Sequence, residues 1–304
     1  MTQTRPLFTI RHRMLKIENW KFDVRRTAFL LIFLAVGASA SAAESRLRVL
    51  ATFAPVFCFA KNVAGDAADV EMLLPPNAEP HNYAISPGDL KKIARADVIV
   101  ENGLGVESWL DKVFASGANP GVLRLVASAG IETRDANPHV WLDPILAIRE
   151  VENIRDGLKT RDPAHAGIFD KNAAAFIGRL RALDAGIRLA SERIRDRRLL
   201  TLHDAFRYFA ARYGFEIVAV IEPFPGREPT PKYVRALRDL ILQKNVHAIF
   251  AEPQVASRIA RSLAVESRVP VAALDPMEAG EPGAEFYEQA TRGNLDALVK
   301  TLGI

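Results

Sequence analysis

The sequence is poor in the features that mark several classes of protein. Its 304 residues contain a single cysteine, Cys58, so the chain cannot form an intramolecular disulfide. Its most apolar run, Ala28–Val36, is far shorter than the roughly 20 residues that a membrane-spanning helix needs. A local metal-binding motif such as H-E-x-x-H is missing as well. A metal site in this chain would therefore be assembled from residues that lie far apart in the sequence.

Outside the N-terminal segment, neither positive nor negative charge is in clear excess. Residues 1–43 hold seven of the 40 lysines and arginines but only two of the 36 acids. The rest of the chain is almost neutral, with 33 basic and 34 acidic residues. A near-neutral protein offers no basic surface to a phosphate backbone, so we expect no nucleic-acid partner.

The first 43 residues are interpreted as a signal peptide. The pair Arg25-Arg26 precedes the apolar run Ala28–Val36, and small residues with Ala-x-Ala spacing follow at Ala38 and Ala40. This order is typical of a cleavable secretory signal. The arginine pair leaves twin-arginine export open beside the general secretory route. Because no cysteine follows the run at a lipidation position, we predict a soluble periplasmic protein without a membrane anchor.

Strand-type and helix-type segments alternate in both halves of the mature chain, which predicts an α/β fold with mainly parallel sheets. Between the halves, apolar residues recur at spacings of three and four from Phe169 to Ile194, as on one face of a long helix. We therefore predict an N-terminal lobe at 44–162, a linking spine helix at 163–196 and a C-terminal lobe at 197–304.

Four possible metal ligands lie at or beyond the ends of strand-type segments: His81, His139, His203 and Asp275. In parallel α/β sheets, ligands bind beyond the carboxyl ends of the strands. Imidazole and carboxylate are donors that Zn²⁺ takes, and Mn²⁺ also accepts them. We hypothesise that the four side chains converge on one metal ion between the lobes. Each residue alone also fits an ordinary role, such as a surface histidine, a helix N-cap at His203-Asp204 or a turn at Asp275-Pro276.

Several short motifs occur in a characteristic order along the chain. They are Pro80-His81, Pro138-His139-Val140-Trp141-Leu142-Asp143-Pro144, His203-Asp204-Ala205-Phe206, Glu252-Pro253-Gln254 and Leu274-Asp275-Pro276. With this set, the chain resembles the zinc/manganese substrate-binding proteins of bacterial ABC-type metal importers over about residues 46–302. The resemblance implies two four-stranded βα lobes joined by one long rigid helix, with the ion buried between them. It implies His81, His139, His203 and Asp275 as ligands, a monomer, and an inner-membrane ABC permease as partner.

The choice of metal and of function class stays open at this point. A histidine at position 203 favours Zn²⁺, because manganese-type members of the family tend to have glutamate there. Residues 115–136 contain no histidine, unlike the His-rich loop of many zinc-type members, and this keeps Mn²⁺ as the alternative. Glu252 could be a ligand or a neighbour of one. A zinc-dependent hydrolase is the rival class if Asp275 or Glu252 acts as a base, and a surface adhesin is a third class, disfavoured without a lipid-anchor cysteine.

Overall fold

The structure is a computed structural model that describes residues 46–223, 227–255, 257–281 and 283–303. The predicted signal peptide lies outside these residues. The elements of the first lobe follow in chain order: β1 (Leu47–Ala51), α1 (Ala54–Ala64), β2 (Ala68–Met72), α2 (Pro87–Arg95), β3 (Val98–Glu101), α3 (Ser108–Ala115), β4 (Leu123–Val126) and α4 (Pro144–Arg161). A short 3₁₀ turn at Val140–Leu142 stands immediately before α4.

The second lobe follows a long helix, α5 (Ala166–Ser191), and repeats the alternation of the first. Its elements are β5 (Arg198–Thr201), α6 (Arg207–Tyr213), β6 (Glu216–Val220), α7 (Pro231–Gln243), β7 (Ile249–Ala251), α8 (Arg258–Ser267), β8 (Val271–Ala273) and α9 (Phe286–Leu302).

Each lobe is built on one parallel sheet of four strands. The strand order is β2-β1-β3-β4 in the first lobe and β6-β5-β7-β8 in the second. The predicted fold class, two βα lobes with parallel sheets joined by a long helix, is confirmed. Parallel strands need helical crossovers, and these cover both faces of each sheet and leave the loops after the strands to carry function.

The linking helix α5 has 26 residues, which corresponds to about 39 Å at 1.5 Å per residue. It is shorter than the predicted range 163–196, because Pro163–His165 forms a separate 3₁₀ turn and the helix ends at Ser191. Its buried face packs into the core cluster that runs through both lobes: Phe169, Ala173, Phe176, Ile177, Leu180, Leu183 and Ile187. No helix within the described residues is both long and apolar enough to cross a membrane.

Local sequence signals determine several helix starts. Ser86 and Asp89 form a reciprocal capping box at α2, with Pro87 as the first helical residue. Thr230 caps α7 by accepting a hydrogen bond from the backbone N–H of Tyr233. The helix N-cap that the sequence allows at His203-Asp204 does not form. Helix α6 begins at Arg207, and the Asp204 carboxylate forms an ion pair with the guanidinium of Arg207 instead.

Candidate metal centre

Three imidazoles and one carboxylate meet between the two lobes. The Oε1 atom of Glu278 lies 3.1 Å from His81 Nε2, 2.8 Å from His139 Nε2 and 3.3 Å from His203 Nε2. His139 Nε2 also lies 3.3 Å from Nε2 of both other histidines. Four potential donor atoms from distant parts of the chain thus point at one centre. The structure brings together the three predicted histidines, and it adds a glutamate that the sequence analysis did not identify.

The spacing of these atoms suits a small tetrahedral cation. Zinc bonds of about 2.0–2.1 Å to nitrogen and oxygen place neighbouring donors of a regular tetrahedron about 3.3 Å apart. The five separations given above range from 2.8 to 3.3 Å. His139, His203 and Glu278 are buried, and the side chain of His81 is 17% exposed. A cation at the centre would therefore be largely dehydrated and held by protein atoms.

The turn that carries His139 is held by hydrogen bonds from both lobes. Asn137 Oδ1 accepts the backbone N–H of His139 at 3.1 Å and lies 2.9 Å from its Nδ1. The Tyr208 hydroxyl of α6 donates to the carbonyl of Asn137 at 2.6 Å. Asn102, after β3, donates from Nδ2 to the carbonyl of Pro138 at 3.2 Å. These contacts direct His139 Nε2 toward the centre.

The other two histidines are positioned by the loops that follow β2 and β5. The Glu79 carboxylate accepts the backbone N–H of His81 at 2.9 Å, and Trp109 Nε1 donates to the carbonyl of Pro80 at 2.8 Å. Next to β5, the Thr201 hydroxyl donates to the carbonyl of His203 at 2.9 Å. Loops at the carboxyl ends of parallel strands thus present both side chains to the cleft.

Among the described residues, Asp275, the predicted fourth ligand, is not brought together with the three imidazoles. Asp275 Oδ1 accepts the backbone N–H of Met277 at 2.8 Å, and Oδ2 accepts from Gln254 at 3.2 Å. This arrangement is an Asx turn, in which a side chain stabilises the backbone two residues later. Met277 then adopts a left-handed conformation with φ of 64°, and the chain reverses so that Glu278 enters the centre. Among the described residues, Asp275 belongs to none of the groups whose ligand atoms lie within 4.8 Å of one another.

Burial and neighbouring charges shift the pKa values of the four side chains at the centre in different directions. Burial opposes ionisation of Glu278, but the charge of His203 and the hydrogen bonds from the three imidazoles hold its pKa well below the usual range. Burial likewise disfavours a charged His203, yet the charges of Glu278 and Glu252 raise its pKa well above 6.5. The pKa of His81 is raised because Glu278 outweighs the effect of burial. In His139 burial dominates and lowers the pKa to about 4.

The chain was compared with known proteins. Residues 49–301 match the family described as Zinc-uptake complex component A periplasmic. The chain belongs to this family. The resemblance noted from the motifs is thereby confirmed. A curated relative, the zinc-binding lipoprotein AdcA of Streptococcus pneumoniae serotype 4, is 30% identical over 304 residues, which cover 92% of this chain and 61% of AdcA. The chain thus spans 61% of the length of that relative.

Solved structures of similar proteins carry different metals. SBP FpvC of Pseudomonas aeruginosa in complex with Mn²⁺ is 33% identical with a TM-score of 0.78, covering 84% of this chain and 98% of that one. The Zn(II)-bound ZnuA-like domain of Streptococcus pneumoniae AdcA is 31% identical with a TM-score of 0.75, covering 85% and 100%. Proteins with this fold thus bind either ion. The preference of this chain therefore depends on its own ligand atoms.

Proposed function

We propose that this protein captures Zn²⁺ between its lobes and delivers it to the permease of an ABC-type importer. The observation that carries the proposal is the convergence of three imidazole Nε2 atoms and Glu278 Oε1 at spacings close to those of a zinc tetrahedron. We assign His81, His139, His203 and Glu278 as the ligands of the transported ion. Asp275 takes the supporting role of shaping the loop that carries Glu278.

The donor set favours Zn²⁺ over Mn²⁺ and binding over catalysis. Three imidazoles and a single carboxylate suit zinc, whereas manganese favours sites with more oxygen ligands. A catalytic zinc keeps one position open for water, usually with three protein ligands. A centre with four convergent protein donors closes that position, which argues against the hydrolase alternative. Mn²⁺ remains the second candidate cargo, because a similar structure contains it.

Calorimetric titration of the metal-stripped protein with Zn²⁺ and with Mn²⁺ tests this proposal. We expect one tight zinc site per chain and much weaker manganese binding. Tight manganese binding with weak zinc binding would identify a manganese carrier. The absence of stoichiometric binding of either ion would contradict the proposal as a whole.

The proposed location of the protein follows from its family and from the predicted signal peptide. We place the mature protein in the periplasm, exported through the cleavable signal peptide at residues 1–43, as a monomer without an anchor. The relative AdcA is named a lipoprotein, so anchoring is to be tested by fractionation of the native protein. For release, the permease would have to separate contacts that join the lobes beside the centre, such as Gly280 N–H to Pro76 O at 2.7 Å and Trp141 Nε1–H to Pro276 O at 2.8 Å.

Zinc binding is expected to release protons and to strengthen as the pH rises. The pKa values of His81 and His203 are raised by the neighbouring carboxylates, so both imidazoles keep a proton to a higher pH than an ordinary histidine does. A protonated imidazole cannot coordinate through the nitrogen that carries the proton, so zinc must displace these protons when it binds. Titrations in buffers of different ionisation enthalpy measure how many protons are released. Heats that do not depend on the buffer would show that the free imidazoles are already neutral.

Replacing His203 with glutamate is expected to shift the preference toward manganese. The change exchanges a nitrogen donor for an oxygen donor, and the ratio of zinc affinity to manganese affinity should fall by at least about tenfold. The ratio is the readout because the added negative charge changes the affinity for both divalent ions, whereas the ratio isolates the effect of exchanging nitrogen for oxygen. An unchanged ratio would show that position 203 does not set the selectivity.

A further inference from the structure

Among the described residues, the three imidazoles of the centre differ in the hydrogen-bond partner of Nδ1, the ring nitrogen that faces away from the centre. One of them stands apart from the other two. His203 Nδ1 is hydrogen-bonded to Oε1 of Glu252, a carboxylate. His139 Nδ1 faces the neutral amide oxygen of Asn137 at 2.9 Å. His81 has no side-chain partner at Nδ1 in the described part of the chain. Within the described part of the chain, only the His203 ring therefore has a carboxylate as the side-chain partner of its Nδ1.

The register of the second sheet brings His203 and Glu252 together. Strands β5 and β7 are parallel neighbours, and Thr201 on β5 is in register with Phe250 on β7. His203 and Glu252 each stand two residues further along, so they leave the sheet side by side. The side chain of Glu252 is only 12% exposed and that of His203 is 6% exposed. The contact is thus specified by the register and shielded from water, which strengthens its electrostatic effect.

A carboxylate at Nδ1 has two effects on an imidazole ligand. It holds the proton on Nδ1, so the lone pair of Nε2 is free for the metal, and it fixes the ring plane. It also raises the electron density of the ring and makes Nε2 a stronger donor. A stronger nitrogen donor benefits zinc more than manganese, because manganese prefers oxygen ligands.

We propose that Glu252 is the positioning residue that fixes the tautomer of His203 and strengthens the preference of the centre for Zn²⁺. The inference rests on the proposed function, because it assumes that His203 binds the transported ion through Nε2. Glu252 lies within 4.8 Å of a ligand atom of Glu278 as well as of His203, and the proposal assigns its carboxylate to Nδ1 of His203 and not to the ion.

Two substitutions of Glu252 separate its hydrogen bond from its charge. In Glu252→Gln the side-chain oxygen still accepts the Nδ1 proton, but the charge is lost. In Glu252→Leu both are lost. We expect zinc affinity to fall by about tenfold in the first variant and about 100-fold in the second, within the range typical of such outer partners. Manganese affinity should fall less in both, so that the zinc-to-manganese ratio decreases.

Glu222→Gln is the matched control. Glu222 follows β6 on the same edge of the sheet, and it interacts with Glu252 and His203 only through its charge among the described residues. This variant removes one negative charge nearby but leaves the His203–Glu252 hydrogen bond in place, and its zinc affinity should match that of the unchanged protein. Equal losses in Glu222→Gln and Glu252→Gln would overturn the proposal, since general charge would then explain the effect.

Nitrogen-15 NMR of the histidine side chains supplies a readout that a purely structural role would not change. In the zinc-loaded protein, we expect a slowly exchanging Nδ1 proton on His203 that persists in Glu252→Gln and is lost in Glu252→Leu. If the original protein binds one zinc ion and the Glu252 variants bind it equally well, only this inference fails. If the original protein binds no metal, the proposed function fails. Complete loss of zinc binding in Glu252→Gln would instead identify Glu252 as a direct ligand.

Discussion

Replacement of Glu278 with alanine is expected to weaken zinc binding by about two to four orders of magnitude, because removing one partner of a buried charge cluster costs about 3–5 kcal/mol. Oε1 of Glu278 is the one atom of the centre that contacts all three imidazole Nε2 atoms. Without it, neutral imidazole nitrogens would be the only proposed protein ligands of the cation. Calorimetric titration of the metal-stripped variant measures the loss.

Asp275→Ala is the matched control for this prediction. The two acids lie three residues apart on the same loop, and only Glu278 reaches the centre. Asp275→Ala removes the hydrogen bonds from Met277 and Gln254, each worth about 1 kcal/mol, so zinc affinity should fall by about 30-fold or less. Strong binding in Glu278→Ala together with lost binding in Asp275→Ala would show that Asp275 is the fourth ligand after all.

Replacement of Trp141 with alanine is expected to lower the free energy of unfolding by about 3–5 kcal/mol, the usual cost of removing a large buried aromatic side chain. Trp141 is fully buried and packs edge-on against Phe53 with ring centroids 5.1 Å apart. Its indole N–H donates to the carbonyl of Pro276, and its own carbonyl accepts the hydroxyl of Tyr287 at 2.6 Å. The midpoint of thermal unfolding should fall by about 6–20 °C.

The same variant is expected to weaken zinc binding. The indole ring lies 5.1 Å from the ring of His139, and its hydrogen bond holds the loop that leads to Glu278. Circular dichroism melts with and without zinc measure both effects. Trp109→Phe serves as the comparison, because Trp109 is only partly buried and donates one hydrogen bond, to Pro80. A loss of stability in Trp141→Ala no greater than in Trp109→Phe would contradict the role of Trp141 in joining the lobes.

The three histidines could be predicted because topology constrains them. Each lies beyond a strand-type segment, and the carboxyl ends of parallel strands meet at one edge of each sheet. Topology thus brings the three histidines to the same cleft, and the hydrogen bonds within their loops direct the rings.

The fourth donor could not be predicted in the same way, because topology selects a loop and not a residue within it. Asp275 and Glu278 share the loop after β8, where the Asp275 carboxylate accepts the backbone N–H of Met277 and Glu278 faces the centre. One signal pointed to the outcome. Asp275 precedes Pro276, and aspartate in that position favours turn initiation, which engages the carboxylate with its own backbone. The pairing of Glu252 with His203 depends on strand register, which the alternation of strands and helices does not specify.

Anomalous X-ray diffraction at the zinc edge, from crystals of the zinc-loaded protein, tests the central claim most directly. The account predicts one anomalous peak per chain between the lobes. That peak should lie about 2.0–2.2 Å from Nε2 of His81, His139 and His203 and from a carboxylate oxygen of Glu278. A peak coordinated by Asp275 in place of Glu278, or a peak elsewhere on the protein, would contradict it.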